Sequence, residues 1–295
     1  MNRKLLLSVI ALATFVTGLK AQRHEVGVRL GHSNLVGDIG KTNYILQGPS
    51  SDLGDMGLPV YGGLMYRFNF NPHQTLRFDL GYNHIQFDDR IAKEEYRQNR
   101  KMWGTNNLYE ASAIFEYNFF PVNNEQLNMI SPYIFAGIGG MIGDVAKAHI
   151  INDFRRDADG VAQAPLHEQD FETTVDYSTK KEFVMYVPFG LGLKYKFNRN
   201  WAISAEAMFR LTNSDKLDYS RVTQKDMRMT YNSDILDPGT NISLLQSDPF
   251  FAVAQEREQE IYKKRNVGDL NSKDWVNTVT LGITYSFGRP PCYCD

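Results

Sequence analysis

About eight stretches of the chain, each of roughly ten residues, alternate apolar with polar side chains, and the connectors between them are alternately short and long. In the clearest stretch, residues 182–197, Phe183 and Leu191 share one parity and Lys194 and Lys196 share the other. Successive side chains of a strand point to opposite faces, so one face of this stretch is continuously apolar. About ten residues tilted by roughly 45° cross a bilayer. The pattern predicts an all-β fold, a transmembrane antiparallel β-barrel of about eight strands.

The connector lengths predict an orientation. The short connectors are residues 70–74, 121–130 and 198–200. The long connectors are residues 34–58, 88–104, 144–181 and 213–273. Bacterial barrels have short periplasmic turns and longer extracellular loops. We therefore expect both termini in the periplasm and four extracellular loops.

The start of the chain predicts export. A basic segment at residues 2–4 precedes an apolar segment at residues 5–16, and Gly18 and Ala21 supply small side chains. These are the features of a secretory signal peptide, residues 1–21, cleaved after Ala21. The rest of the sequence contains no run of about 18 apolar residues, so it predicts no membrane-spanning helix. Export combined with barrel strands predicts the outer membrane of a Gram-negative cell, with residues 22–288 forming the barrel.

Aromatic side chains cluster near the predicted periplasmic ends of the strands, as expected for rings at the headgroup level of a membrane. They are Tyr66, Phe68, Phe78, Tyr117, Phe119, Tyr133, Tyr195, Phe197, Trp201, Tyr285 and Phe287. Composition does not distinguish this protein from a soluble one, since the mean hydropathy is -0.40 and the net charge -2. The alternative is therefore a soluble β-sandwich or lipocalin-like barrel, whose apolar face would point inward.

The polar parity of the predicted strands carries many charges. An eight-stranded barrel is only wide enough to be filled by its own side chains. Because an unpaired buried charge costs several kcal/mol, we expect these groups to form a mutually paired lumen ion network that blocks conduction. The predicted members of the network are Arg29, Arg67, Arg77, Asp79, Glu110, Glu116, Lys194, Lys196, Glu206 and Arg210.

No catalytic or cofactor motif accompanies the strand pattern. There is no Cys/His metal spacing, no G-x-S-x-G elbow and no P-loop. His84 is the only histidine within a predicted strand on the outward face, and no serine lies two residues away, so a lipid-modifying enzyme is a weaker alternative. Basic residues are dispersed, which argues against nucleic acid. We expect no enzymatic activity, cofactor, metal or small-molecule substrate.

The fourth long loop is longer than joining two strands requires. Ser247 and Pro249 predict the start of a helix over residues 250–265, in which Glu260 and Lys264 have helical spacing. The same loop contains three aspartates whose spacing matches no EF-hand, so we expect solvated side chains rather than a calcium site. These aspartates are Asp215, Asp218 and Asp226.

The fifth stretch, residues 133–143, is apolar on both faces, so the alternation assigns it no inward or outward parity. It contains a glycine cluster, for which we expect a bend in a tight barrel. The glycines are Gly137, Gly139, Gly140 and Gly143.

Residues 289–295 form a predicted periplasmic tail that contains the only two cysteines, Cys292 and Cys294. Pro290 and Pro291 cannot extend the last strand. Disulfides persist in the periplasm. A bond between these two cysteines would close a small, strained ring, so an intermolecular disulfide is at least as plausible, and an idle thiol pair is the remaining alternative.

Three segments resemble the PorG family of outer-membrane proteins, and the likeness extends over the mature chain. They are residues 32–45 (HSNLVGDIGKTNYI), residues 213–218 (NSDKLD) and residues 285–294 (YSFGRPPCYC). This resemblance implies an outer-membrane component of the type IX secretion system of Bacteroidota. Such proteins are thought to attach a periplasmic ring, built from a PorK-like lipoprotein and its PorN-like partner, to the outer membrane.

The resemblance gives the cysteine tail a role: Cys292 or Cys294 would bond to the ring lipoprotein, while the periplasmic turns would add non-covalent contacts. The expected function is therefore a non-enzymatic anchor surrounded by outer-membrane lipids. The alternative is a stand-alone small barrel whose long loops bind extracellular ligands.

Overall fold

The computed structural model describes residues 23–49, 53–123, 128–154, 171–231, 249–269 and 271–288. The predicted signal peptide and the cysteine tail lie outside these residues. The described strands are β1 (Arg23–Val36), β2 (Val60–Asn69), β3 (Gln74–Asp88), β4 (Trp103–Asn118), β5 (Met129–Phe154), β6 (Phe171–Lys196), β7 (Trp201–Thr212), β8 (Met227–Tyr231) and β9 (Trp275–Phe287). The helices are α1 (Leu53–Met56), α2 (Glu95–Arg100) and α3 (Pro249–Arg265), with short 3-10 helices at Asp89–Ile91 and Gln224–Asp226.

Eight of these strands form a closed ring in the order β4-β3-β2-β1-β9-β7-β6-β5, and β5 pairs with β4 to close it. Every pairing within the ring is antiparallel. Closure leaves no strand edge around the wall of the barrel. The predicted antiparallel barrel of about eight strands is confirmed.

The wall of the ring is apolar outside and polar inside. Leu30, Ile138 and Leu281 are 69%, 68% and 71% exposed, whereas Arg67 and Arg77 are fully buried. A soluble barrel would have the opposite arrangement, because water would favour the charged face outside. The exposed apolar band instead matches a barrel that crosses a bilayer. Among the described residues, no helix is both long and apolar enough to span a membrane.

The third long connector differs from its prediction. Residues 144–181 were expected to be a loop, but β5 and β6 continue pairing as far as Phe154 and Phe171. β8 adds a parallel pairing to β5 at residues 148–152. Backbone pairing needs no continuous apolar face, and this sheet buries one side of Ala146 and Ala148 against Val222. The result is a three-stranded extension beyond the barrel.

The fifth strand now has a defined orientation. Tyr133 and Phe135 point into the barrel and are buried, while Ile134 and Ile138 are exposed outside. A Cβ atom at Gly139 would come within 2.4 Å of the Tyr186 ring. Gly139 and Gly140 therefore leave room for the Tyr186 and Phe183 rings of the neighbouring strand, whereas Gly137 allows close approach of the β4 backbone.

Helix α3 matches the predicted helix over residues 250–265 and begins at Pro249. The expected Glu260–Lys264 pair forms, with 3.5 Å between Nζ and Oε2. Ser247, its predicted N-cap, lies outside the described residues.

Candidate functional site

The centre of the lumen is organised by Glu206 of β7. Its carboxylate accepts hydrogen bonds from Arg29 Nη1 at 2.9 Å, Arg67 Nη2 at 3.1 Å and Arg77 Nη1 at 2.9 Å. The Tyr133 hydroxyl donates to the same carboxylate at 2.6 Å. Inward parity on four separate strands produces this convergence, because β1, β2, β3 and β7 each contribute one charged side chain.

Two further carboxylates complete the central layer. Asp79 Oδ2 lies 2.7 Å from Arg29 Nη2 and 3.1 Å from Arg77 Nε. Glu116 pairs with Arg67 through Nε at 3.0 Å and also with Arg77. Three guanidinium groups thus face three carboxylates in the middle of the barrel. All six side chains are buried.

Further ion pairs lie above and below this layer. Arg210 Nη2 donates to Glu110 Oε1 at 2.7 Å, and Arg210 also donates to Thr278. Lys194 Nζ donates to Glu25 Oε2 at 2.8 Å. Lys196 is buried as well. The ten predicted lumen residues are thus buried within one column of side chains.

Three residues that the sequence analysis did not assign to the lumen belong to this column. Glu25 pairs with Lys194, and the Tyr61 hydroxyl accepts a hydrogen bond from Arg29 at 3.0 Å. The sequence contained a signal for Glu25 and Tyr61, because Glu25 has the strand parity of Arg29 and Tyr61 has that of Arg67. The third is Tyr133, predicted to be a headgroup-level ring. That prediction is wrong, since Tyr133 is 1% exposed inside the barrel.

The chemistry available to this column is limited. Glu206 already binds three arginines and a tyrosine, so its carboxylate has no free position for proton transfer. The Arg77 guanidinium also packs on the Phe135 ring, 4.8 Å from its centroid. The column therefore fills the lumen and joins the strands rather than forming a cleft for a substrate.

An apolar layer lies at the end of the barrel where the long connectors meet. Its buried members are Leu35, Ile39, Ile85, Phe87, Leu108, Met141, Val184, Tyr186, Leu217 and Val276. Ile39 and Leu217 come from connectors rather than from strands. We call these two residues the outer plug. They are 1% and 0% exposed.

Four buried aspartates, which we call the acidic cluster, surround the backbone of the outer plug. They are Asp38, Asp215, Asp218 and Asp274. Asp218 Oδ2 accepts the Asp38 and Ile39 amides at 2.7 and 2.9 Å, and Asp274 Oδ2 accepts the Leu217 amide at 2.8 Å. The expectation of solvated aspartates is therefore wrong for Asp215 and Asp218, because both are buried and their carboxylates accept hydrogen bonds from the half-buried Ser272 hydroxyl and from backbone amides, respectively.

The other predicted solvated aspartate, Asp226, is also buried. It accepts hydrogen bonds from Lys216 at 3.2 Å and Thr223 at 2.6 Å, and it pairs with Lys180. Burial raises the pKa of Asp226, but the hydrogen bonds from these three residues outweigh burial and bring the pKa to about 2. Asp226 therefore links β6 to the segment that precedes β8.

The pKa values of three members of the acidic cluster are raised. Burial, followed by the charge of Asp218, raises the pKa of Asp274 well above its ordinary value. Burial and the charges of Asp38 and Asp218 raise the pKa of Asp215 to about 6. Burial also raises the pKa of Asp38. Within the described ranges, no three His, Cys, Asp or Glu side chains are arranged to hold a metal ion.

Two of the segments that carried the family resemblance touch each other here. Asp38 and Ile39 belong to residues 32–45, and Asp218 belongs to residues 213–218. Their amide-to-carboxylate hydrogen bonds join connectors about 180 residues apart in sequence. The third segment contains Cys292 and Cys294, which lie outside the described residues.

His84 lies on the outward side of β3, as expected. Its Nδ1 is 2.7 Å from Asn107 Oδ1 and its Nε2 is 2.7 Å from the Met56 carbonyl oxygen. Both ring nitrogens are thus engaged in fastening α1 and β4 to β3. This arrangement supports a structural role for His84.

Comparisons with known proteins identify one family model, described as Domain of unknown function (DUF6089), which matches residues 3–164 and 252–295. A search of curated proteins found no match.

Among solved structures, the chain is similar to Ail, the attachment invasion locus protein of Yersinia pestis. The identity is 12%, the TM-score is 0.39, and the match covers 90% of this chain and 99% of Ail. The outer membrane protein OprG from Pseudomonas aeruginosa matches at 10% identity and a TM-score of 0.37, covering 91% of this chain and 97% of OprG. Neisserial surface protein A matches at 11% identity and a TM-score of 0.36, covering 90% and 97%. The closed ring of strand pairings, rather than these likenesses, defines the chain as a barrel.

Proposed function

The chain belongs to the DUF6089 family, and we propose for this member a non-enzymatic role as an outer-membrane barrel that anchors the periplasmic ring of a type IX secretion system. The observation that supports a membrane role is the closed ring with exposed apolar residues outside and buried ion pairs inside. A filled lumen suits an anchor, because such a protein needs rigidity and a hydrophobic girdle but no passage.

The anchoring role is supported by the resemblance of three segments to the PorG family. In this proposal the connectors at the short end of the barrel face the periplasm. Hydrogen bonds join two of these connectors: the Asn118 amide donates to the His73 carbonyl at 2.7 Å, and the Asn123 side chain donates to Thr75 at 3.1 Å. Lys194 donates to Asn123 from inside the barrel at 3.1 Å. The ring would contact these connectors, and Cys292 or Cys294 would supply a covalent bond to the PorK-like lipoprotein.

The test is purification of the tagged protein from outer membranes under non-reducing conditions, beside a Cys292→Ser/Cys294→Ser form. We expect a periplasmic lipoprotein to run attached to the native protein, to be released by reductant, and to be lost from the double variant. Mass spectrometry of the cross-linked peptides identifies which cysteine bonds. Ring attachment that is unimpaired in the double variant contradicts the covalent part. Isolation of the monomer alone, without secretion components, contradicts the anchoring role.

A second candidate is a stand-alone barrel that binds extracellular ligands. The observation that favours it is the ordered extension of β5, β6 and β8 beyond the barrel. Helix α3 contacts this extension, because Arg257 donates to Thr173 and Arg265 packs over the Tyr177 ring. Such an ordered projection is a common way of presenting a binding surface.

Shortening the extension separates the two candidates. The β5–β6 hairpin can be cut at the Lys147–Ser178 pair and rejoined by a two-residue turn. Under the anchoring proposal, secretion continues and ring components still co-purify. Loss of surface binding, in a protein with which no ring components co-purify before or after shortening, would instead support the second candidate. Heat-modifiable migration on gels serves as the control for barrel folding.

A further inference from the structure

The two residues of the outer plug are both held through their backbone amides by carboxylates of the acidic cluster. Asp218 binds the amide of Ile39, and Asp274 binds the amide of Leu217. The seating of the plug therefore depends on carboxylates that are themselves buried.

The carboxylates of the cluster lie close to one another. A Cβ atom at Gly37 would lie 2.6 Å from both Asp218 Oδ2 and Asp274 Oδ1, so these two groups flank the same glycine. The Ser272 hydroxyl lies 3.3 Å from both Asp38 Oδ2 and Asp215 Oδ1. Asp218 and Asp274 thus form one acidic pair, and Asp38 and Asp215 form a second, bridged pair.

One oxygen of this arrangement lacks a partner. Asp274 is 0% exposed, its Oδ2 accepts the Leu217 amide, and its Oδ1 is buried without a hydrogen bond. An ionised carboxylate oxygen buried in this way, beside a second carboxylate, is strongly unfavourable. A proton on Asp274 would remove the like-charge repulsion.

The positive groups around the cluster offset part of its charge, but the pKa values of Asp38 and Asp215 stay raised. Arg97 and Arg100 donate to the carbonyl oxygens of Gly40 and Asp38 rather than to cluster carboxylates, and Arg100 also pairs with Asp89. Arg221 lies 3.5 Å from Asp215. The remaining charged neighbours are Lys273 near Asp215, Arg265 near Asp218, and Asp269, whose amide donates to Asp38.

We propose that the acidic cluster is a proton-operated latch: protonation seats Ile39 and Leu217 in the mouth of the barrel, and deprotonation releases them. The lumen column is not part of the latch, since its ion pairs do not involve these four aspartates. In the barrel wall, Thr212 of β7 donates to the carbonyl oxygen of Asp274 rather than to its carboxylate. This inference does not depend on the secretion role.

The direction of the pH dependence follows from proton linkage. The seated loops hold protons on Asp38, Asp215 and Asp274 more tightly than solvated loops do, because the pKa of each is raised. Because these pKa values are raised in the seated state, proton binding stabilises that state at low pH. This stabilisation is lost as the pH rises through the pKa of the seated state. Seating therefore weakens as the pH rises through about 6, the value for Asp215.

The test is hydrogen exchange, read by mass spectrometry, on the full chain refolded in lipid nanodiscs. Peptides containing the Asp38, Ile39 and Leu217 amides are compared at pH 5 and pH 7.5 after correction for intrinsic exchange. We expect protection of these amides to be about tenfold greater at pH 5, as one pKa unit of difference would produce. Protection of the barrel strands, recorded in the same spectra, should not change and reports that the protein is folded.

Two variants and the addition of calcium distinguish proton binding by the cluster from other causes of protection. Asp215→Asn, which mimics the protonated form of the side chain whose pKa is about 6, should retain the high protection at pH 7.5. Asp55→Asn, an exposed aspartate outside the cluster, should keep the pH dependence of the native protein. Equal protection of the plug amides at both pH values would overturn the proposal. Restoration of protection at pH 7.5 by millimolar calcium would also overturn it, because a cation rather than a proton would then be the ligand.

Discussion

Glu206 shows how single residues acquire their role inside this barrel. Its carboxylate is shared by arginines of β1, β2 and β3 and by Tyr133 of β5. Removing one partner from a buried charge network leaves the others uncompensated, which costs more than the pair contributes relative to an apolar core. The Glu206 side chain therefore connects strands that are not neighbours in the ring.

Glu206→Gln is expected to destabilise the barrel by about 3–5 kcal/mol, because three guanidinium groups would then face only two carboxylates. Urea unfolding of the protein in detergent micelles, followed by gel mobility, measures the change. Glu260→Gln provides the control: its pair with Lys264 has side chains 58% and 80% exposed. That substitution should cost less than about 1 kcal/mol. Equal effects of the two substitutions would contradict the assigned role.

At the scale of strands, glycines and aromatic rings are matched across neighbouring pairs. Gly192 of β6 is paired with Tyr133 of β5. A Cβ atom on Gly192 would lie 2.4 Å from the Tyr133 ring, whose hydroxyl is fixed by Glu206. The ring cannot move away without breaking that hydrogen bond, so the glycine is required by close approach.

Gly192→Ala should therefore destabilise the barrel by about 1–3 kcal/mol through overpacking. Gly48→Ala is the matched control, because a Cβ atom there meets nothing within 4 Å. Its effect should stay within about 0.5 kcal/mol. The same unfolding assay measures both variants, and a neutral Gly192→Ala would show that the ring relaxes freely.

The attachment of β8 depends on charge rather than on apolar packing alone. Asp226 directly precedes the strand and is held by Lys180, Lys216 and Thr223. Since its folded pKa is about 2, the stability that it contributes is present above the unfolded carboxyl pKa and is lost as the pH falls through about 2.

Hydrogen exchange of residues 227–231 should thus be constant from pH 7 to about 4 and accelerate as the pH approaches 2, after correction for intrinsic rates. Asp226→Asn should lower the protection at neutral pH and remove this acid dependence. Asp176→Asn, at an exposed position of β6, should leave it intact. Unchanged protection at pH 2 in the native protein would contradict the fastening role of Asp226. Acid therefore weakens the attachment of β8, whereas it is expected to strengthen the seating of the outer plug by the acidic cluster.

The whole molecule is a closed wall around a filled interior. Eight strands leave a lumen that side chains can fill, and here a column of ion pairs occupies it beneath the apolar layer and the outer plug. An open water path would require breaking several buried pairs at once.

We expect no stepwise conductance when the purified barrel is inserted into planar bilayers, at either pH 5 or pH 7.5. The lumen column is independent of the proposed latch, so release of the plug does not open a channel. A porin of about sixteen strands, reconstituted in the same way, provides the positive control. Stable single-channel steps from this protein would contradict a filled lumen.

Much of this architecture could be predicted from the chain alone, because the side-chain period of a strand is a local property. Alternation in residues 182–197 and 278–287 identified strands, and the same parity placed Arg29, Arg67 and Glu206 on the inner face. Helix α3 was predictable from the helix-start signal at its N-terminus and from the helical spacing of its charged residues. Strand number followed from counting such segments, and the polar composition of the interior followed from their parity.

Other features depend on contacts between distant segments, which no local period records. Parity could not place Tyr133, since its strand is apolar on both faces. The extension of β5 and β6 through residues 144–181 comes from backbone pairing and from β8, not from an apolar face. The burial of Asp218 and Asp274 comes from connectors that meet only when the ring closes. Local alternation therefore specifies which face each strand side chain occupies, whereas the partners of each buried charge exist only once the ring has brought distant strands and loops together.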